Sequence, residues 1–243
     1  MMDLNKLIPP TWAEHLKGGK VCLGLDVAST IEDKSNPSSL TVMEQWEGVY
    51  YERLVVRWKT EDLDVMESII RHVLKPIAKS YRKALVVDKS NEKFAANKLR
   101  QRLSGEIRVI GFAGNNTVIY EGEKAAANAA MGSAYCAALE DGIIAMPASK
   151  WLRDDHRLVK RNGAKFECKP DKDGNHADTF DSGKLAYWGF IGKSFVVVPP
   201  EPGRRDVNNA YSEAAVQAAL ANNINLDERP VSYTHLTLPT ICS

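Results

Sequence analysis

The order of apolar segments predicts a mixed α/β domain with a central β-sheet flanked by helices. Two observations carry this: the chain opens with three consecutive strand patterns, and strand and helix patterns alternate after them. Residues 20–27, KVCLGLDV, form an apolar run closed by an acid, the pattern of a buried strand. A polar loop follows over residues 28–38, with Asn36-Pro37 as a turn signal. Residues 39–46 and 49–59 read as two strands joined at Glu47-Gly48 by a tight hairpin. Thr60 is the expected N-cap of the next helix, with Glu61, Asp62 and Asp64 in its first turn. Val65, Ile69, Ile70, Val73, Leu74 and Ile77 recur at helical spacing across residues 63–83, and Pro76 predicts a kink.

Residues 84–87 then read as a short strand ending in Asp88, residues 92–103 as a helix and residues 107–112 as a strand. Residues 123–140 are Ala-rich and predict one helix, stopped by Asp141-Gly142. A short apolar stretch at 143–146 precedes Pro147. Beyond it a helix is expected over residues 149–160, a turn at Asn162-Gly163 and a helix over residues 178–190.

With 243 residues, the chain has room for one large domain, placed here at residues 1–195, followed by a tail with a helix near 212–221 that reaches residue 230. Residues 231–240, VSYTHLTLPT, look like the translation of a transposon-type sequencing adapter, so 231–243 are expected to be non-native. Lys and Arg number 32 against 31 Asp and Glu, so any nucleic-acid binding has to come from local clustering of charge. Cys22, Cys136, Cys168 and Cys242 form no CxxC pair, which argues for reduced thiols over zinc ligands or a disulfide framework. No apolar run approaches the roughly 18 residues of a membrane span, and no signal-peptide pattern is present. The expectation is a soluble, cytoplasmic protein with no membrane partner.

Three acids stand where chemistry can be done. Asp26 and Asp88 each end a strand, and Asp178 opens a helix after a Gly-Asn-His turn. Carboxylates at the carboxyl ends of neighbouring strands, about 4.8 Å apart, can converge beneath a helix that adds a third. Such oxygen donors suit Mg²⁺ or Mn²⁺, and two such ions can activate a water and stabilise the leaving oxygen of a phosphodiester. Taken singly, a strand-end Asp is more often a turn former, and Asp178 could serve only as an N-terminal helix acid. Their order, strand then strand then helix, is what favours a site. Asp181 lies one turn after Asp178 and shares its face.

These segments carry a family resemblance. GLDVA at 24–28 with SLTVMEQW, VVDKSN at 86–91, LEDGIIAMP at 139–147 and HADTFDSGKLAYW at 176–188 resemble, in order and spacing, the nuclease domain of phage terminase large subunits. The last segment is similar to the H-A-D or H-G-D closing motif of Mu-like relatives. The resemblance covers roughly residues 21–190. It implies an RNase H-like fold and a metal-dependent endonuclease that cuts concatemeric double-stranded DNA during genome packaging. It also implies Asp26, Asp88 and Asp178 as catalytic ligands of Mg²⁺ or Mn²⁺, with two ions expected. Some branches of the family place the last ligand three residues on, here Asp181, so that choice stays open. His176 is a candidate for positioning a ligand or water. The partners implied are an ATPase motor, a small terminase subunit and a portal, in the host cytoplasm. A motor needs the phosphate-cradling G-x-x-x-x-G-K-[ST] loop, and at Gly192-Lys193-Ser194 the required first glycine is Tyr187. The motor is therefore expected on a separate polypeptide or on a part of the protein detached from this one.

Lys150, Arg153, Arg157 and Lys160, at spacings of three and four, predict a basic stripe along one helix face, with Arg161 and Lys165 beyond it and Asp154 and Asp155 pointing elsewhere. A stripe of this kind suits a phosphate backbone, although an ordinary solvated face has the same pattern. A second cluster, Lys93, Lys98, Arg100 and Arg102, follows Asp88. Two other readings remain open: a resolvase or RNase on the same fold, and a non-catalytic module that docks a packaging motor.

Overall fold

The computed structural model describes residues 3–27, 37–60, 62–89, 93–163, 165–168 and 176–199. In chain order the elements are α1 (Leu4–Leu7), β1 (Lys20–Asp26), β2 (Ser38–Trp46), β3 (Val49–Trp58), α2 (Leu63–Leu74), β4 (Arg82–Asp88), α3 (Lys93–Arg102), β5 (Val109–Phe112), β6 (Thr117–Tyr120), β7 (Glu123–Ala126), α4 (Ala127–Glu140), β8 (Ile144–Ala145), α5 (Lys150–His156), β9 (Val159–Asn162), β10 (Lys165–Cys168), α6 (Asp178–Ile191) and β11 (Val196–Val197). The main sheet has the order β5-β4-β1-β2-β3-β8. β1, β2 and β3 form an antiparallel meander, β4 runs parallel to β1 and β5 to β4, and β8 adds a short parallel edge to β3.

The expected hairpin is present. Glu47 and Gly48 both have positive φ, 49° and 83°, the backbone that joins two twisted strands through a two-residue turn. The helix expected over residues 63–83 is shorter. Asp62 caps it, accepting from the Asp64 amide at 2.8 Å, while Thr60 Oγ1 instead accepts from the Asp62 amide at 3.0 Å. The helix ends at Leu74, two residues before Pro76, which has no amide to donate. Arg82 from β4 then donates to the carbonyl oxygens freed there, Leu74 and Ile77, at 2.8 Å each.

A second Glu-Gly pair changes the Ala-rich stretch. Glu121 (φ 50°) and Gly122 (φ 83°) turn β6 back into β7, so residues 123–126 are strand and the helix starts only at Ala127. Similarly, the helix expected over 149–160 stops at His156, and residues 159–162 pair with 165–168 in a hairpin. β11 pairs with β6 and closes a three-stranded sheet. The tail helix near 212–221 and the adapter-like segment lie outside the described residues.

Strand alternation divides the core into two layers. On one face, Val21, Leu23 and Leu25 of β1 and Leu85 and Val87 of β4 pack with Met66, Ile69, Ile70, Val73 and Leu74 of α2 and Leu99 of α3. On the other, Cys22, Ala84 and Val86 pack with α4 and α6 through Met131, Tyr135, Leu185 and Ala186. Gly24 has the same parity as Cys22 and so faces α6. A Cβ there would lie 2.0 Å from the Ser182 carbonyl oxygen and 2.3 Å from the Ala186 amide nitrogen, both backbone atoms of α6. Ser182 adds a polar clasp, its hydroxyl 2.8 Å from those of Ser39 and of Thr41 on β2. Gly24→Ala must therefore push α6 off the sheet. A loss of about 3 kcal/mol in unfolding free energy is expected, read from urea denaturation, and wild-type stability would contradict this packing.

Candidate metal centre

The register of the central strands brings two acids side by side. Leu25 pairs with Val87 across parallel β1 and β4, so Asp26 and Asp88 are the next residues on neighbouring strands. Asp26 shares the parity of Cys22 and Gly24, and Asp88 that of Ala84 and Val86, which turns both toward the α6 layer. α6 reaches the same end of the sheet with its first turn, which carries Asp178 and Asp181. The charges of the other three acids are felt at Asp26. Burial and the charges of Asp181, Asp88 and Asp178 hold the Asp26 pKa well above the ordinary carboxylate value, with Lys184 opposing them. Burial raises Asp178 to about 7, helped by Asp155 and Asp181 and opposed by Arg57.

The two candidates for the last acid differ in surroundings. Asp178 is 2% exposed, and its Oδ2 is buried without a hydrogen-bond partner. Asp181 is half-exposed and paired with Lys184, whose Nζ also donates to Asn128 Oδ1 at 2.6 Å. His176 is half-buried two residues ahead of Asp178, and between them Ala177 sits in the left-handed region (φ 62°, ψ 33°), a conformation an alanine rarely adopts. Among the described residues, no three His, Cys, Asp or Glu side chains are gathered closely enough to hold a metal ion as they stand. The chemistry of the donors nevertheless fits a hard divalent cation. Buried carboxylates that repel one another and an orphaned buried carboxylate oxygen are both relieved by positive charge.

A polar network behind these acids was not visible in the sequence. Ala177 offers α6 no side-chain cap. The cap comes instead from α5: Asp155 Oδ2 accepts from the Thr179 amide at 3.1 Å and from its hydroxyl at 2.5 Å. Asp155 Oδ1 meets Arg57 of β3 at 3.3 Å. The Thr179 hydroxyl also lies 3.2 Å from His156 Nδ1, and His156 Nε2 lies 3.1 Å from the Tyr135 hydroxyl, which donates to Glu52 Oε1 at 2.5 Å. Burial lowers His156 to about 4 and raises Glu52 to about 7. The only sequence signal for this network was the adjacency of Asp155 and His156 on a short helix.

The basic stripe is rearranged. Lys150 and Arg153 lie on α5 and Arg157 caps its end, but Lys160 and Arg161 are on β9, because Val159 is drawn into the core as a strand residue. Asp154 does not point away from the stripe; it pairs with Lys150 at 2.7 Å and Arg157 at 3.7 Å. In the second cluster, Arg102 is engaged by Asp64 and Glu67 of α2, and Arg100 donates to the Val109 carbonyl at 3.3 Å. Among the described residues, no helix is long and apolar enough to cross a membrane.

Glu52 gives the network a pH signature. Its folded-state pKa of about 7 lies above the ordinary 4.5, so its contribution to stability is full below about 4.5 and is lost as pH rises through about 7. Glu52→Gln removes that loss. In urea titrations, the stability of the variant relative to wild type is expected to be about 3 kcal/mol greater at pH 8 than at pH 5, whereas an equal difference at both pH values would refute the shift.

No protein-family model and no curated protein matches the sequence. Solved structures do. The large terminase of a thermophilic bacteriophage, in complex with ADP, superposes with a TM-score of 0.52 at 17% identity, over 79% of this chain and 44% of that one. Another crystal form of that terminase gives 0.51 at 16% identity, over 78% and 43%. The large terminase nuclease from thermophilic phage G20c gives 0.49 at 16% identity, over 69% and 81%. The chain thus spans less than half the length of the first two structures. Its meander β1-β2-β3, continued on the other side of β1 by parallel β4 and β5, is the RNase H-like fold.

Proposed function

We propose that this chain is a divalent-metal-dependent endonuclease that cleaves double-stranded DNA, cutting concatemers during phage genome packaging. The observation that carries the reading is the buried, unpartnered Asp178 Oδ2 on a helix that opens beside two strand-end carboxylates, Asp26 and Asp88. The likeness in fold to the ADP-bound large terminase supports it. Asp26, Asp88 and Asp178 would hold Mg²⁺ or Mn²⁺, with Asp181 as an alternative or additional ligand; two ions are the expected complement.

A cation held there supplies Lewis acidity at the scissile phosphate and charge against its developing negative charge. The protein positions and shields. Asp26 and Asp88 are fixed by the register of two core strands, and Asp178 by a helix seated on the sheet backbone. Hydrolysis forms a bond from a water oxygen to phosphorus as one P–O ester bond breaks, and the departing sugar oxygen takes up a proton. Lys184 holds Asp181 on the rim, leaving Asp178 as the inner acid of α6. Arg153, Lys160, Arg161 and Lys165 are assigned to the DNA backbone, with Lys150 and Arg157 sharing their charge with Asp154. An ATPase motor, a small terminase subunit and a portal are the partners this reading entails.

Supercoiled plasmid incubated with the chain in Mn²⁺, Mg²⁺ or EDTA tests the proposal. Nicking and linearisation are expected with either metal and none in EDTA, with Asp26→Ala and Asp88→Ala each reduced at least about a hundredfold. Asp178→Asn is expected to be as inactive as these, and Asp181→Asn to retain more activity. Cleavage by the folded Asp26 and Asp88 variants at the wild-type rate would leave only the docking-module reading.

A further inference from the structure

We propose that Asp155 is the positioning residue of the acid cluster: from α5 it caps the start of α6, and so sets where Asp178 stands relative to Asp26 and Asp88. The inference rests on the metal-nuclease reading. It concerns a residue that is not placed among the ligands and lies on a different element from all of them.

The geometry is specific. A helix leaves its first amides without intrahelical partners, and a side-chain oxygen just before it normally accepts one. At α6 that residue is Ala177, which has no such oxygen and is held in the left-handed region. The strained alanine therefore needs an outside anchor. Asp155 supplies it with one oxygen, which takes both the amide and the hydroxyl of Thr179. The other oxygen is held by Arg57, whose guanidinium also lies 4.9 Å from the centre of the Trp151 ring on α5. Thr179 is the residue directly after Asp178, so any shift of this anchor moves the orphaned carboxylate with it. A second line runs from the Thr179 hydroxyl through His156 and Tyr135 to Glu52. Both lines end on β3, at Arg57 and Glu52. The first turn of α6 is thus tied to the sheet from two points on one strand, independently of the contact at Gly24.

A neutral acceptor could cap a helix as well, and with less repulsion toward nearby acids. What the carboxylate adds is simultaneous engagement of Thr179 and Arg57, which fixes α5, α6 and β3 against one another. Supporting groups of this kind typically change metal affinity by about ten- to a hundredfold when removed.

The test compares full-length wild type, Asp155→Ala, Asp155→Asn and Thr179→Val. Free Mn²⁺ is followed by electron paramagnetic resonance, the Mn²⁺ midpoint by plasmid nicking, and thermal unfolding is followed in EDTA. Asp155→Ala is expected to raise both the Mn²⁺ dissociation constant and the nicking midpoint about tenfold. Asp155→Asn keeps an acceptor for the Thr179 amide but loses the one for Arg57, and is expected to recover only part of that loss. Thr179→Val removes only the hydroxyl contacts, with an expected rise of about threefold, and it carries the test if Asp155→Ala does not fold. Lowered thermal stability with an unchanged Mn²⁺ affinity in the folded variants would overturn the positioning role. Wild type that neither binds Mn²⁺ nor nicks DNA would overturn the nuclease reading itself, and this inference with it.

Discussion

Backbone meets backbone where α6 crosses β1, and the arrangement of the acids depends on that contact. Gly24 leaves no side chain between the strand and the carbonyl of Ser182, so the helix sits at a distance set by main-chain atoms. Two further glycines of α6 leave room for side chains of the elements packed against it. A Cβ on Gly183 would meet the Tyr135 hydroxyl at 2.3 Å, and one on Gly189 would meet the Cys22 sulfur at 2.6 Å. The main-chain contact at Gly24 has little freedom to relax, unlike contacts made by long side chains. The first turn of α6 inherits that rigidity, and sites built on rigid elements hold their geometry better than sites on loops.

Gathering carboxylates in a half-buried place works against folding. Asp26 feels three like charges, and Asp178 carries a buried oxygen with no partner. The opposing stabilisation is spread across the sheet. Its two faces bury separate apolar layers, one under α2 and α3 and one under α4 and α6, and strand parity turns Asp26 and Asp88 toward the second. Arg82, donating to the end of α2, and Ser182, between two hydroxyls of β2, satisfy polar groups that burial would otherwise strand. The chain thus tolerates a locally unfavourable corner because the opposite layer is conventional and well packed.

The parts of the fold legible in the sequence were those set by neighbours along the chain. The hairpin of the meander followed from apolar runs around Glu47-Gly48, and the strand-end positions of Asp26 and Asp88 from the separate apolar runs that they close. An identical dipeptide at Glu121-Gly122 is masked in the sequence by the alanines after it, which favour helix; pairing of residues 123–126 with 117–120 outweighs that preference. Helix ends differ from the sequence pattern where context decides them: Pro76 stops α2 instead of kinking it, with Arg82 donating to the carbonyls at its end, and the burial of Val159 draws the chain into a strand after α5. Asp155 and Thr179 lie far apart in sequence, and no periodicity joins them. The order of the strand acids and of the acids on α6 is legible in the sequence, but what holds α6 in place is not.

Chain order has a further consequence during translation. β1, β2 and β3 are consecutive, and β4 joins β1 after a single helical crossover, so the strand acids can come together early. α6 is made only after β5 to β10, with α4 and α5 among them. Contacts between segments so distant in sequence form late, since closing the intervening chain costs entropy before any burial repays it. A nascent chain can therefore carry Asp26 and Asp88 on a partly formed sheet while the acids of α6 are still unsynthesised. The four acids can stand at one end of the sheet only once α6 has emerged and docked on β1, so their mutual repulsion is met late, when most of the apolar core is already available to offset it.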